Sequence, residues 1–263
     1  MVEVNGVTRK MKNVLLLDTE TGGVNHKVHK IIEVATILYS LEYASPITSF
    51  SALLPVGDNP AESINGIPEG LLKYANTTSM ISAVVDELIC ASDAILAHSA
   101  SFDMYFMQDV AEEWGVSPSS KPWICTMRDI EWPKKTKHRN LVAIALAHGV
   151  PVIAAHRALT DVDILARLLT RVAETGTDLE ELVARAMRPK VLVEALVDYP
   201  DRDIAYCNGF DWDPQKRRHL REIPEEDIDA LPFKCRIIDT NTIVCSGTRQ
   251  SPTYIKEPES TAG

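Results

Sequence analysis

The chain has 263 residues, 45% of them hydrophobic and 24% charged, an ordinary balance for a globular protein. Its net charge of −10 argues against a protein that coats nucleic acid through a basic surface. It leaves room for an enzyme that holds a nucleic-acid end through bound cations. No apolar run reaches the ~18 residues of a membrane helix, and the opening MVEVNGVTRKMKN has no apolar signal core. No membrane attachment and a cytoplasmic setting are therefore expected.

The first strand is expected over Lys12–Thr19. It begins as the apolar run Val14–Leu17 and turns polar at Asp18 and Glu20. Side chains two apart on a strand share a face, and two carboxylates at ~4 Å repel by about 4 kcal/mol at an effective dielectric near 20. A positive partner is required. Lys30–Ser40 and Ile47–Val56 read as two further strands joined by a short connection, rich in β-branched residues. A short helix is expected after Pro68, and a longer one over Ser79–Ala91 with Ser79 as its cap.

DAILAHSA is a buried fourth strand ending at His98. A helix over Ser101–Gly115 follows, capped by Ser101 and stopped by Gly115, with Asp103 in its first turn. KPWICTM is a fifth strand. NLVAIALAHGV and ALTDVDILARLLTRVAE are helices, and Asp161 begins the second of them, five residues after His156. Asp163 lies about 200° further round that helix and competes poorly for the same role. A last helix ends near Met187, where Pro189 blocks continuation. The elements imply an α/β fold, a mixed sheet with helices on both faces.

From residue 188 the texture changes to short strands and a small acidic helix around Glu225–Ala230. We expect a main domain over 1–187, a small α+β accessory module over 188–250, and a flexible tail over 251–263. GFDWDPQKRRHLRE (Gly209–Glu222) mixes Phe210 and Trp212 with basic residues, a pattern that suits single strands by stacking and phosphate contact. A plain hairpin with a solvated basic face fits the same residues better.

The five cysteines contain no CxxC pair, which fits reduced thiols rather than a disulfide framework. Cys207, His219, Cys235 and Cys245 match no familiar zinc spacing. No GxSxG elbow offers a serine nucleophile, and Cys125 sits in too apolar a context to be one.

An acid-x-acid pair means little alone, and an acid in a first helical turn is commonly there to complement the helix dipole. Three such pieces at strand–helix edges are more informative. LDTETGG, HSASFD and HRALTD, in that order, resemble the three motifs of the DEDDh 3′–5′ exonuclease superfamily, the DnaQ-like proofreading group. INGIPEGLL and WICTMR resemble its linking segments. The resemblance spans about residues 12–173. Asn65 stands where many relatives have histidine, and Ser99 where asparagine is frequent.

The resemblance implies a ribonuclease-H-like five-stranded mixed sheet whose four acids hold two Mg²⁺ or Mn²⁺ ions. Asp18 would bridge both ions, Glu20 and Asp161 would complete the first site, and Asp103 would help hold the second. His156 would be the general base. Thr21, Gly22 and Phe102 would contact the terminal nucleotide; His98 is read as mainly structural, with substrate contact as its second role. The implied partner is a single-stranded or frayed 3′ end of DNA, with RNA as the alternative and a replication or polymerase protein as a further partner. A catalytically silent binding module is the reading from a different class. Four carboxylates against two divalent ions also supply the positive partner that Asp18 and Glu20 need.

Overall fold

The computed structural model describes residues 2–4, 7–153 and 157–243. Two short strands, β1 (Val2–Val4) and β2 (Val7–Arg9), pair as an antiparallel hairpin. The main sheet then begins with β3 (Asn13–Thr21), β4 (Ile31–Ser40) and β5 (Ser45–Leu53), antiparallel neighbours in that order. β3 runs two residues beyond the expected Thr19, so Glu20 is still within the strand and pairs with Glu33 of β4. β5 begins earlier than expected and includes Pro46, which an edge strand tolerates because one of its sides needs no ladder donor.

The connection holds α1 (Glu62–Asn65), unforeseen in the sequence, and a 3₁₀ turn at Glu69–Tyr74 just after Pro68. α2 (Thr78–Ala91) starts one residue before Ser79, and no side chain caps it. β6 (Ala94–Ala97) runs parallel to β3. α3 (Ala100–Trp114) starts before the expected Ser101: Ser99 adopts a left-handed backbone (φ 70°), turning the chain sharply off β6, and no side chain caps the helix. Gly115 stops it in the left-handed region (φ 65°), as expected. β7 (Trp123–Cys125) completes a mixed five-stranded sheet of order β5-β4-β3-β6-β7.

α4 (Leu141–Ala147) is capped by Asn140, whose side chain accepts from the Ala143 amide at 2.8 Å. α5 (Ala158–Glu174) follows, then α6 (Leu179–Ala186), capped by Asp178. Alternation along β3 sorts the core into two layers. Val14 and Leu16 face the cluster built from α4, α5 and α6, while Leu15 and Leu17 face the cluster built from α2 and α3. The same alternation carries Asp18 and Glu20 to the α5 side and Thr19 to the α3 side.

β8 (Lys190–Ala195), α7 (Arg202–Cys207), β9 (Asp211–Asp213), β10 (Arg218–Ile223) and β11 (Cys235–Ile243) build the second unit. Its four-stranded antiparallel sheet has order β11-β8-β10-β9 and its own small core around Val193, Ala205, Phe210 and Ile223. Glu225–Ala230 is a 3₁₀ turn. Across Gly209–Glu222, β9 and β10 form an antiparallel hairpin. Phe210 is in the core, whereas Trp212, expected there with the hairpin, is half-buried, and Arg221 is not on a solvated face. The tail expected from residue 251 lies outside the described residues. No helix among the described residues is long and apolar enough to cross a membrane.

Candidate active site

Two chain segments meet at the C-terminal end of β3. On α5, Val162, Leu165, Leu168, Leu169 and Val172 bury one stripe against the sheet, each worth roughly 1.5–3 kcal/mol for the larger side chains. Asp161 stands one turn before Leu165 on that stripe, so the packing that fixes the helix also turns Asp161 toward Asp18 and Glu20. Carboxylate oxygens of Asp18, Glu20 and Asp161 lie within 4.8 Å of one another. Asp163 points elsewhere and pairs with Arg167 at 2.7 Å.

Asp103 reaches the site from the opposite layer. It is 2% exposed and accepts from the Thr19 amide at 3.0 Å and the Thr19 hydroxyl at 2.8 Å. α3 lies on the odd-numbered face of β3, so its acid meets Thr19 first and stands outside the three-carboxylate group, next to Asp18.

The electrostatics follow from packing like charges out of water. Burial pushes Asp18 well above the usual carboxylate range, with Asp103, Asp161, Glu20 and Glu33 adding repulsion. Glu20 rises to about 7 by burial, then by Asp161 and Glu33, against the pull of Arg157. Asp103 rises to about 7 by burial despite its two bonds from Thr19. A set of hard oxygen donors this close, with Asp18, Glu20 and Asp103 driven to hold their protons, fits a divalent cation such as Mg²⁺ or Mn²⁺. Asp18, Glu20 and Asp161 have the placement to hold one ion, and Asp103 beside Asp18 has the placement to help hold another.

His156, the expected base, lies outside the described residues. Its neighbour Arg157 is held firmly. Glu33, 3% exposed on β4, accepts from Arg157 Nε at 3.0 Å, from Arg157 Nη2 at 2.8 Å and from the Ala158 amide at 3.2 Å. This pair ties the start of α5 to the strand opposite Glu20. The sequence reading missed Glu33; the available signal was a lone acid inside the apolar run IIEVATI.

The other expected contacts are engaged within the fold. The Thr21 hydroxyl donates to the Gly23 carbonyl at 2.8 Å, and the Gly22 amide donates to Lys30 O at 3.0 Å. An added Cβ at Gly22 would stand 3.3 Å from Pro60 Cδ, so a side chain there would be tight. Buried Asn65 donates to Thr21 O at 3.3 Å and shares bonds with Asn59, so it braces the turn that leaves β3. Phe102 packs on Phe106 (ring centroids 4.9 Å) at the edge of the core, and its ring is partly exposed. His98 bonds Thr126 through Nδ1 at 3.0 Å; burial, with Arg139 nearby, lowers its pKa to about 4 and keeps the ring neutral.

The alternative sites fall away. Cys125 is 2% exposed and burial pushes its thiol up, which makes it a poor nucleophile. Cys207, His219 and Cys235 belong to no metal-ligating group among the described residues, and His219 instead packs its ring against Trp212 and Tyr206. Cys245 lies outside the described residues.

A mixed five-stranded sheet with acids gathered where β3, α3 and α5 meet defines the class: a ribonuclease-H-like fold with an acidic site at the end of its central strand. The exonuclease family model (RNase T) matches residues 15–169, more than half of the chain, and the protein belongs to that family. It is 26% identical over 182 residues, 66% of this chain, to the PolC-type DNA polymerase III of Staphylococcus aureus (strain bovine RF122 / ET3-1). It is 26% identical over 168 residues, 62% of this chain, to that of Halalkalibacterium halodurans. The match covers 12% of each of these relatives, so the chain spans a small part of their length. Among solved structures, E. coli Exonuclease I in complex with a dT13 oligonucleotide shares the fold (TM-score 0.55, 15% identity, 85% of this chain and 69% of that one). So does the nuclease domain of 3′hExo, a DEDDh family member bound to rAMP (TM-score 0.52, 16% identity, 64% and 94%).

Proposed function

We propose that this protein is a metal-dependent 3′–5′ exonuclease that removes nucleoside 5′-monophosphates from DNA 3′ ends. The observation that carries the reading is the convergence of Asp18, Glu20 and Asp161 within 4.8 Å, from segments far apart in the chain. Two bound Mg²⁺ or Mn²⁺ ions would activate a water and stabilise the leaving 3′-oxygen. Asp18, Glu20, Asp161 and Asp103 would hold the cations, and His156, when neutral, would take a proton from the attacking water. Glu33 and Arg157 fix the start of α5, immediately after that histidine in the chain. Thr21, Gly22 and Phe102 would contact the terminal nucleotide, and His98, bonded to Thr126, would support them. Residues 1–187 form the catalytic domain in this reading, with 188–250 as the accessory module, in a cytoplasmic setting.

DNA is favoured because the matched relatives are DNA polymerases, which also supports a proofreading or end-trimming role beside a polymerase. RNA is the second reading, favoured by the likeness to a nuclease domain bound to rAMP. Matched 5′-labelled DNA and RNA strands, digested with Mn²⁺ and analysed on a sequencing gel, separate them. Faster stepwise shortening of DNA supports the first reading; faster shortening of RNA replaces it with the second; an intact ladder on both returns the protein to a silent binding module.

A further inference from the structure

The seam between the two sheets holds two arginines that the nuclease chemistry does not use. Arg139 precedes α4, and Arg221 is on β10. Arg221 is 11% exposed; it bonds Glu131 through Nη2 and Asn208 O through Nη1 at 2.8 Å, and its Nε has no partner. No ion pair holds Arg139 among the described residues. Its guanidinium lies over the backbone of Gly209, a residue at φ +81° where an added Cβ would overlap Arg139 Nη1. Burial and the neighbouring Arg221 charge push Arg139 down to about 10.

Two guanidiniums crowded together share a single bonded carboxylate, Glu131. Both line one groove of about 1030 Å³ that runs between the two sheets. The groove starts at Ser99 and Ser101, at the head of α3 and two residues before Asp103, and passes half-buried Trp212. Acids line the same walls as well, Glu222 and Asp239 among them, and three others have basic or backbone partners. Asp129 pairs with Lys190 at 3.1 Å, and Asp213 accepts the Gln215 and Lys216 amides at 2.9 Å. Asp211 faces Arg128 at 3.8 Å.

We propose that Arg139 and Arg221 bind a backbone phosphate of the single-stranded nucleic acid whose 3′ end lies at the carboxylate cluster. This deepens the nuclease reading and rests on it for the strand's direction. The seam would grip the strand upstream of the cut, where paired guanidiniums match phosphate geometry.

The test is binding of fluorescein-labelled thymidine oligonucleotides of two, four, eight and twelve residues, followed by anisotropy in EDTA, together with kcat/KM on the same strands with Mn²⁺. Arg139→Gln is expected to weaken the twelve-residue strand about tenfold and the dinucleotide less than about twofold. Its log–log salt slope should fall by about 0.7, the single-strand value for one lost phosphate contact. Lys10→Gln, a charge change on an exposed residue paired with Glu180, should shift neither. An equal loss at every length, or no loss with an unchanged salt slope, overturns the proposal. If Arg139→Gln fails to fold, Arg139→Lys, which keeps the charge and loses the fork, is read by the same length dependence. Absence of cleavage by the wild type with normal length-dependent binding would sink the nuclease reading and leave the clamp standing.

Discussion

Replacing Asp18 by Asn separates the stability of the fold from its chemistry. Carboxylate oxygens of Asp18, Glu20 and Asp161 lie within 4.8 Å of one another. Two unit charges at that spacing repel by about 3.5 kcal/mol at an effective dielectric of 20. Asp18 meets two such partners, with Asp103 and Glu33 behind them. Protonation relieves part of the repulsion, which with burial is why Asp18 and Glu20 hold their protons above the usual carboxylate range. Asn keeps the size and removes the charge, so the metal-free variant should gain about 2–4 kcal/mol. In a chain of this length that raises the unfolding temperature by roughly 5–10 °C. Metal reverses the order. A cation at a hundred times its Kd adds about 2.7 kcal/mol to the wild type, while the variant has lost the central ligand and should respond little. Thermal unfolding with chelator and with Mn²⁺ reads both effects. A variant less stable than wild type in chelator, or one with the full metal shift, refutes the reasoning.

Three further outcomes follow from the same geometry. Glu20 and Asp103 titrate near 7 in the folded chain, against about 4 when unfolded. The folded state therefore holds extra protons from about pH 4 to 7, and metal-free stability should fall across that window by at most about 1.4 kcal/mol per pH unit for each group; Glu20→Gln should flatten the fall, and a wild type and variant with parallel pH profiles would contradict it. Glu33→Gln removes the charge and one of the two hydrogen bonds that Glu33 accepts from Arg157, and should cost about 10–100-fold in kcat while KM and the metal-induced stability gain persist. In a His156→Ala background that loss should vanish; fully additive losses would show that Glu33 does not act through His156. Lys190→Met strands the Asp129 carboxylate, since the paired side chains are 3% and 1% exposed. Urea unfolding should register a loss of about 3–5 kcal/mol, largely restored by adding Asp129→Asn, and a near-neutral single variant would refute the role of this pair as a pin between the two sheets.

The acids were legible because each sits where a periodic pattern changes. LLLDTE shows a buried strand ending in carboxylates, and the apolar stripe of Ala158–Glu174 places Asp161 on the packed face while turning Asp163 away. The division of labour among the acids was not legible. Asp103 bonds Thr19 because α3 covers the odd face of β3, a fact of layer order that no local pattern records. Glu33 left a trace, a single acid in a strand with every residue buried, and its meaning depends on Arg157, 124 residues away. Arg139 and Arg221 meet only because the second sheet docks beside the first. Their segments carry ordinary basic residues, and the acidic stretch around Glu225 conceals any local basic patch. The hairpin β1–β2 was missed although Asn5-Gly6 between valine-rich runs is a strong turn signal.

Counting Mn²⁺ per chain by electron paramagnetic resonance, with thymidine 5′-monophosphate present, tests the caged-cation claim most directly. The account expects about two ions bound by the wild type and almost none by Asp18→Asn. A wild type that leaves millimolar Mn²⁺ free, or an Asp18→Asn chain that binds as many ions, would contradict it.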